Sequence, residues 1–487
     1  MHQTKLIGLL KVLDKGELIR FTHFLKSPFF FQGRQLADVQ KLMQYLMRYH
    51  PTYDHPKIAK EKVFAKVFEG EAFQERRFKH LMTKANKALE QFITLTYRDP
   101  YFDRLPETLS WVTFYRRKKR SASFLKAHQK AVNVQAAQSQ KDDVHFWVDY
   151  LLARELAEHD SMFNMRKTDV NLPQTLARLD YFFIVAKLEA ACVLLSQKKH
   201  QIPLGTNGEL DALKALMPLL QHGRYREEPL IDLLFQTYEL LQSSEGTTHY
   251  KKLKACYNEK AMSIALNQRQ IVHGVLRNFC TQQLNKGQKD YLAELFDLYQ
   301  EGLAQGVLDS GGGLLPSTFQ NLATLGIRLG KYDWVEQFLE AQRMRIIGME
   351  EPESLYTLNR ANLLFAKAQY EEALEYLTYN FADTYLKLIA RRLEVQIYYE
   401  LASPLLASKI QAFKIFVFRT AKIHLTPLQR EGYTNFIDLL KQIIHPSTPH
   451  KPQRIKSLTA KLEGKETVAE KQWLLDKLKQ VALKERF

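Results

Sequence analysis

Apolar residues recur at steps of three and four through most of the chain, and this spacing predicts amphipathic helices. Near the start, Asp14 is followed three residues later by Glu17, a capping-box spacing that predicts the beginning of a helix. The longest stripe places seven apolar side chains on one helix face: Phe78, Leu81, Met82, Ala85, Leu89, Phe92 and Ile93. These patterns predict an N-terminal helical bundle over residues 1–100.

Helix follows helix over residues 107–301, but no regular period is readable there. Helical patterns cover residues 144–158, 172–197, 229–241, 250–265, 271–285 and 291–303. The stretch from Tyr181 to Leu195 is apolar on nearly every side, which predicts a helix enclosed by its neighbours. We expect a helical array in this region.

Glycines interrupt the helical pattern between Gly302 and Pro316, with three in a row from Gly311 to Gly313. Phosphate-binding loops are also rich in glycine. Here, however, Leu314 and Leu315 follow the glycines, where such a loop carries Lys and then Ser or Thr. We therefore expect a flexible connector.

Two segments after this connector share one spacing of residue types. The residues Ala323, Gly330, Tyr332, Val335 and Leu339 recur 38 residues later as Ala361, Ala368, Tyr370, Ala373 and Leu377. A looser third copy, with Val395, Tyr398 and Ala407, follows at an offset of about 34 residues. The middle copy resembles the tetratricopeptide (TPR) pattern, although Thr357 stands at the place of a large apolar residue and Ala368 at that of the turn glycine. The resemblance implies TPR-like helix pairs over residues 316–445.

Three further motifs are Ser27 to Phe30, Lys187 to Cys192, and Asp333 to Glu336. Through them the whole chain resembles an uncharacterised bacterial family of helical-repeat proteins. That resemblance implies a helical protein over the full length and no particular activity. The expected fold class is all-α, with an N-terminal helical bundle followed by an α-solenoid of antiparallel helix pairs that is TPR-like in its C-terminal third.

The C-terminal part carries two more capping-box spacings. Thr426 to Gln429, with Pro427 at the first helical position, predicts the last helix of the array. Residues 446–487 begin with three prolines, at 446, 449 and 452, which predict an extended linker. Thr467 to Glu470 then predicts the start of an amphipathic basic helix. This helix either caps its own solenoid or binds another molecule.

Composition supports the helical interpretation and adds a charge. The 20 Gly and 16 Pro are few for 487 residues, which disfavours many tight turns. Three cysteines without a C-x-x-C spacing favour a reducing compartment, so we expect a cytoplasmic protein. Lys187 and Glu189 break the most apolar stretch, and we expect no membrane insertion. The net charge of +17 either attracts polyanions or is spread over solvated faces.

Five consecutive basic residues form a candidate polyanion site. They are Arg116, Arg117, Lys118, Lys119 and Arg120, and they follow Trp111, Phe114 and Tyr115. Basic side chains can contact phosphates while aromatic rings stack on bases. The alternative is a solvated helix end whose aromatic side chains point inward.

No catalytic or metal-binding motif is readable. The patterns of zinc proteases, serine hydrolases and dinucleotide-binding loops are absent, and His445 and His450 lack a further close ligand. We therefore predict a protein that is not an enzyme and needs no metal or cofactor. A small-molecule substrate is not expected.

The TPR resemblance implies a binding face, because the first helices of TPR pairs line the concave surface. The polar candidates there are Gln320, Thr324, Arg328, Asn362, Arg392 and Gln396. The leading hypothesis is a scaffold or adaptor that binds a protein or peptide partner through the solenoid groove. The alternative is a nucleic-acid-associated helical-repeat protein that uses a basic surface.

Overall fold

Helices dominate the structure of this chain, a computed structural model that describes residues 4–27, 35–97, 105–163, 171–199, 216–243, 246–445 and 452–484. The all-α class predicted from the sequence is confirmed. No helix in these ranges is both long enough and apolar enough to cross a membrane. The chain divides into two compact units, residues 1–138 with 143–182 and residues 139–142 with 183–487. The four domains suggested by the sequence divide the chain more finely and stay predictions.

The first unit begins with a bundle of five helices around one core. These are α1 Lys5–Val12, α2 Lys15–Phe24, α3 Gln35–Leu46, α4 Lys60–Val67 and α5 Glu75–Thr96, with short 3-10 turns at Met47–Tyr49 and Pro56–Ile58. Phe21, Phe64 and Leu89 are fully buried in that core. The capping box predicted at the start of α2 is present, because Asp14 accepts from the Glu17 N–H while Glu17 accepts from the Asp14 N–H.

Three further helices of the first unit, α6 Glu107–Arg117, α7 Ser121–Ala136 and α8 Asp143–Phe163, pack around a separate cluster that includes Val112 and Phe124. The next helix, α9 Leu172–Lys199, belongs to the first unit up to Phe182 and to the second unit from Phe183. Its predicted enclosure on all sides is wrong. Phe183 and Val193 are 44% and 45% exposed, because the buried side chains of this stretch, such as Val185 and Leu188, lie on the opposite side of the helix.

The second unit stacks helix pairs in chain order. After α10 Met217–His222 and a 3-10 turn at Arg224–Glu227, the pairs are α11 Pro229–Gln242 with α12 Thr247–Lys260, α13 Leu266–Asn285 with α14 Tyr291–Ala304, α15 Pro316–Arg328 with α16 Tyr332–Gln342, α17 Pro352–Ala366 with α18 Tyr370–Leu377, α19 Thr384–Glu400 with α20 Leu406–His424, and α21 Pro427–Ile443 with α22 Pro452–Glu463. Short 3-10 turns follow α12 at Ala261–Ser263 and α16 at Arg343–Arg345, and α23 Lys471–Lys484 ends the array.

Contacts between these pairs build the predicted α-solenoid. The two helices of each pair pack on each other, and each second helix also contacts the first helix of the following pair. First helices contact one another as well, α15 with α17 and α17 with α19. This stacking already begins at α11, so the structure continues the pair pattern N-terminal to the region where the sequence shows repeats.

Small residues stand where the helices of a pair cross. Ala361 and Ala373 are both fully buried in one cluster with Leu364, so the axes of α17 and α18 approach closely. The turn between these helices needs one residue in the left-handed region, and Ala368 takes it with φ 60°, as Gly330 does in the preceding pair with φ 69°. A residue with a Cβ carries a cost of about 1–2 kcal/mol there.

The glycine segment predicted as a flexible connector is a β-hairpin. Strands β1 Asp309–Ser310 and β2 Gly313–Leu314 pair antiparallel, and Gly311 and Gly312 at the turn both have positive φ, 55° and 89°. The hairpin is anchored, because the Leu314 carbonyl accepts from the Ile347 N–H at 3.0 Å. A Cβ on Gly313 would lie 2.3 Å from the Arg345 carbonyl oxygen, so this glycine permits close backbone packing.

The C-terminal helices correct one capping prediction and bear out another. The capping box of Thr426 at the start of α21 is present, but α23 begins at Lys471 and not after Thr467. Instead the Thr467 carbonyl accepts from the Asn435 side chain at 2.8 Å, and the Ala469 N–H donates to the Gly432 carbonyl at 3.1 Å. Tertiary hydrogen bonds to α21 therefore replace the local cap. Helix α22, which the sequence analysis did not predict, lies within the region predicted as a linker. Residues 446–451 of that predicted linker lie outside the described residues.

Candidate functional site on the first-helix face

The six predicted partner-binding residues all lie on first helices of successive pairs. We use the term first-helix face for the surface that α15, α17 and α19 present. Gln320, Thr324 and Arg328 lie on α15, Asn362 lies on α17, and Arg392 and Gln396 lie on α19. Their exposure differs from helix to helix, so each helix is described in turn.

The three residues on α15 form an accessible polar stripe. Successive steps of four residues place Gln320, Thr324 and Arg328 on one side of the helix. Thr324 and Arg328 are exposed and Gln320 is half-buried. Beside the stripe, the amide of Asn321 donates to the hydroxyl of Tyr299 at 2.9 Å. A guanidinium with hydroxyl and amide neighbours suits the carboxylates and carbonyls of a protein partner.

Helix α17 interrupts this polar surface. Leu358, which lies 38 residues after Gln320 and so at its equivalent position in the repeat, is fully buried. Asn362 is half-buried, and its amide donates to the Leu358 carbonyl of the same helix at 2.9 Å. The cause is that α17 packs against both α15 and α19. The six residues therefore do not line one continuous groove.

The two residues on α19 are paired or buried. Arg392 forms an ion pair with Glu470, which precedes α23, and Gln396 is only 2% exposed. Neither side chain is available to an external partner in this arrangement.

Helix α23 docks in cis on α19 and α21 with both apolar and polar contacts. Leu474 and Leu478 are buried to 0% and 1% exposure in the core that α21 also contributes to. The indole N–H of Trp473 donates to Glu400 Oε1 at 2.9 Å, and the Lys477 ammonium contacts Glu400 at 2.7 Å. Two donors one helical turn apart thus share one carboxylate. In the structure, α23 therefore packs on its own solenoid, which is the first of the two roles expected from the sequence.

Sequence reasoning did not identify Glu400 or Trp473. The rings of Tyr399 and Trp473 also pack edge to face at 5.2 Å, and burial raises the pKa of Tyr399. The apolar spacing of Leu474 and Leu478 predicts a docking helix, but a spacing on one helix contains no information about the surface that receives it.

The basic run lies at the turn between α6 and α7. Arg116 is not available to a polyanion, because its guanidinium pairs with Glu155 at 2.6 Å and with Glu158 at 2.8 Å. The hydrogen bond that Arg116 donates to Glu155 raises the pKa of Arg116. Arg117 and the three following residues, Lys118, Lys119 and Arg120, are exposed. The turn reverses through Lys119, whose φ is 54°.

Two of the aromatic residues before this turn point to solvent. Trp111 is 56% and Phe114 46% exposed, while Tyr115 is half-buried and its ring stacks on Trp111 at 6.0 Å. The alternative in which the aromatic side chains point inward is wrong for Trp111 and Phe114. Both project from the same side of α6, three residues apart.

Comparisons with known protein families, with curated proteins and with solved structures found no match. In the described ranges, no group of three or more His, Cys, Asp or Glu side chains is arranged to hold a metal ion.

Proposed function

We propose that this protein is a scaffold or adaptor that binds a protein or peptide partner along its solenoid, as TPR-like helical-repeat proteins do. One observation carries the proposal, which is the docking of α23 on α19 and α21. It supports the idea that surfaces of this solenoid accept a helical segment through buried leucines and a polar anchor at Glu400. A partner bound in this way needs no chemistry from the scaffold.

The accessible stripe of α15 is the proposed surface for an external partner. Because Arg392 is paired with Glu470 and Gln396 is buried, the exposed Thr324 and Arg328 are the polar groups most open to solvent among the six candidates. We propose a partner segment with a carboxylate that pairs with Arg328. The three free, buried cysteines support the proposal that this binding occurs in the cytoplasm.

A pull-down with matched variants tests the proposal. Protein isolated from its native cells is expected to carry a stoichiometric protein partner, and Arg328→Glu should weaken that complex about tenfold or more, since a rim charge that becomes a repelling one costs about 1.4 kcal/mol or more. Gln337→Glu is the control, because Gln337 is exposed on the second helix α16. Equal affinity of both variants for the partner, or the absence of any partner, would contradict the assignment.

Nucleic-acid association is the second candidate, and the exposure of Trp111 and Phe114 beside Lys118, Lys119 and Arg120 favours it. Base stacking on an exposed ring contributes about 1–3 kcal/mol, and each phosphate contact adds a salt-dependent term. The compensation of Arg116 by two glutamates reduces the positive charge of this turn.

Gel retardation of single-stranded DNA or RNA tests this second candidate. If the turn binds, changing Arg117, Lys118, Lys119 and Arg120 to Ala together weakens retardation and lowers the salt dependence of the binding that remains. The control changes Lys251 and Lys252, which are adjacent exposed lysines on α12, to Ala. Retardation that survives the first set of changes but not the second would assign the binding elsewhere.

A further inference from the structure

Three side chains of the first unit form a hydrogen-bonded chain that no sequence motif indicated. Ser121 is the first residue of α7, and His159 and Asp160 lie near the end of α8. The Ser121 hydroxyl lies 2.9 Å from His159 Nε2, and His159 Nδ1 lies 3.0 Å from Asp160 Oδ1. A serine, a histidine and an aspartate are thus joined in the order used by serine hydrolases.

The partners of the imidazole determine its tautomer. An ionised carboxylate can only accept a hydrogen bond, so Asp160 requires the proton of neutral His159 to be on Nδ1. Nε2 then carries the lone pair and accepts from the Ser121 hydroxyl. This is the tautomer that a general base needs in order to take the proton of a serine nucleophile.

Packing holds the imidazole in place. His159 is 3% exposed, and its ring stacks on Phe124 at a centroid distance of 4.2 Å and an interplanar angle of 5°. Phe163 packs on the same ring at 4.8 Å. The second oxygen of Asp160 accepts from the amide of Asn171, so the carboxylate is itself oriented.

The surroundings of Ser121 can stabilise an oxyanion. The first N–H groups of a helix have no acceptor within the helix, and Arg120 at the N-cap position of α7 offers no side-chain cap to them. The backbone N–H groups of Ser121 and Ala122 are therefore available to bind an oxyanion formed next to the Ser121 hydroxyl. The helix dipole adds a positive potential at this end of α7. Ser121 is half-buried, and the neighbouring Ala122 and Ser123 are exposed, so the start of α7 lies at the protein surface.

We propose that Ser121, His159 and Asp160 hydrolyse small carboxylic esters. Ser121 Oγ forms a bond to the ester carbonyl carbon while His159 Nε2 takes the hydroxyl proton, and the carbonyl oxygen becomes the oxyanion held by the first turn of α7. The tetrahedral intermediate collapses, the C–O bond to the alcohol breaks, and His159 returns the proton to the departing alcohol. An acyl-serine remains.

Water completes the cycle. His159 Nε2 removes a proton from a water molecule whose oxygen attacks the acyl carbon, and the proton then passes to Ser121 Oγ as the acyl–oxygen bond breaks. The products are one carboxylic acid and one alcohol, and the enzyme is regenerated. Asp160 is a positioning residue, because it acts on the substrate only through His159. This activity goes beyond the proposed partner binding and uses residues of the first unit only.

Labelling by a fluorophosphonate probe and hydrolysis of p-nitrophenyl acetate test the proposal in the full-length protein. Ser121→Ala is expected to abolish labelling and to lower the protein-dependent hydrolysis at least about 100-fold, the usual range for loss of a nucleophile with its general base. The matched control is Ser123→Ala, an exposed serine two residues away on the same helix, which keeps both signals. Wild-type protein without labelling, or equal labelling of both variants, overturns the proposal.

The variant Asp160→Asn tests whether Asp160 positions His159 for catalysis or only stabilises the fold. The asparagine amide can donate to Nδ1 and so favours the wrong imidazole tautomer, and hydrolysis is expected to fall about 10²–10⁴-fold while the circular dichroism spectrum is unchanged. The fall is expected in kcat rather than in KM, because Asp160 acts on the substrate only through His159. A kcat equal to that of wild type in folded Asp160→Asn contradicts the role of Asp160.

Discussion

His273 is a buried histidine that makes the stability of the second unit depend on pH. It is 1% exposed on α13, and its Nε2 contacts the Leu298 carbonyl at 2.9 Å. A carbonyl only accepts, so Nε2 carries the hydrogen. Nδ1 is buried without a hydrogen-bond partner in the described part of the chain. Burial, with a smaller contribution from the positive charge of Arg277, lowers the pKa of His273 to about 4.

The sign of the effect follows from these values. Because the pKa is about 4 in the folded protein and 6.5 in an unperturbed histidine, the unfolded chain binds more protons between those two values. The folded state is therefore fully favoured above pH 6.5 and loses stability as pH falls toward 4. One unit of pKa corresponds to about 1.4 kcal/mol, so between pH 7.5 and pH 4.5 the loss due to His273 is about 2–3 kcal/mol.

His273→Gln tests this account, since glutamine retains an amide donor for the Leu298 carbonyl but does not titrate. Urea denaturation at pH 7.5 and pH 4.5, with the unfolding of α13 followed by pulsed hydrogen exchange, should show the extra loss in wild type and not in the variant. His445→Gln, at an exposed position, should behave as wild type. If wild type and His273→Gln lose equal stability at pH 4.5, the reasoning is refuted.

Three other variants or measurements follow from the packing. Gly302→Ala would place a Cβ 2.6 Å from the His273 ring, and we expect the urea midpoint of α13 to report a loss of about 1–3 kcal/mol. Arg116→Ala would leave the Glu155 carboxylate, whose side chain is 4% exposed, without its ion pair, and thermal or urea unfolding of the first unit should show a loss of about 3–5 kcal/mol. Burial raises the pKa of the Cys256 thiol to about 12, so this thiol should react with a disulfide reagent at pH 8 far more slowly in native protein than in urea.

The helices were predictable from the sequence because their signals are local. Apolar spacing placed α5, α8 and α13 near their observed bounds, and the capping boxes of Asp14 and Thr426 are present in the structure. The capping box at Thr467 failed because its backbone groups bond to α21 instead. The glycine segment failed for a related reason, since the contacts that order the hairpin come from residues after α16.

The candidate binding face was only partly predictable. The repeat spacing correctly assigned the six residues to first helices, but their exposure depends on what packs over them. Arg392, for example, is paired with Glu470, which the C-terminal segment brings to α19. The burial of α17 likewise results from contacts on both of its sides. A repeat pattern predicts how neighbouring helix pairs pack, but it does not predict contacts with a segment that is distant in the sequence.

The proposed ester-hydrolysing site could not be predicted from the sequence either. Ser121 and His159 are 38 residues apart, and no loop motif links them, because α7 and α8 bring them together only by packing around Phe124. The only sequence feature noted beside Ser121 was the run of basic residues from Arg116 to Arg120, which predicted a polyanion site. Partner binding and ester hydrolysis rest on different residues in different units. Arg328→Glu and Ser121→Ala therefore test them separately, and failure of one proposal leaves the evidence for the other intact.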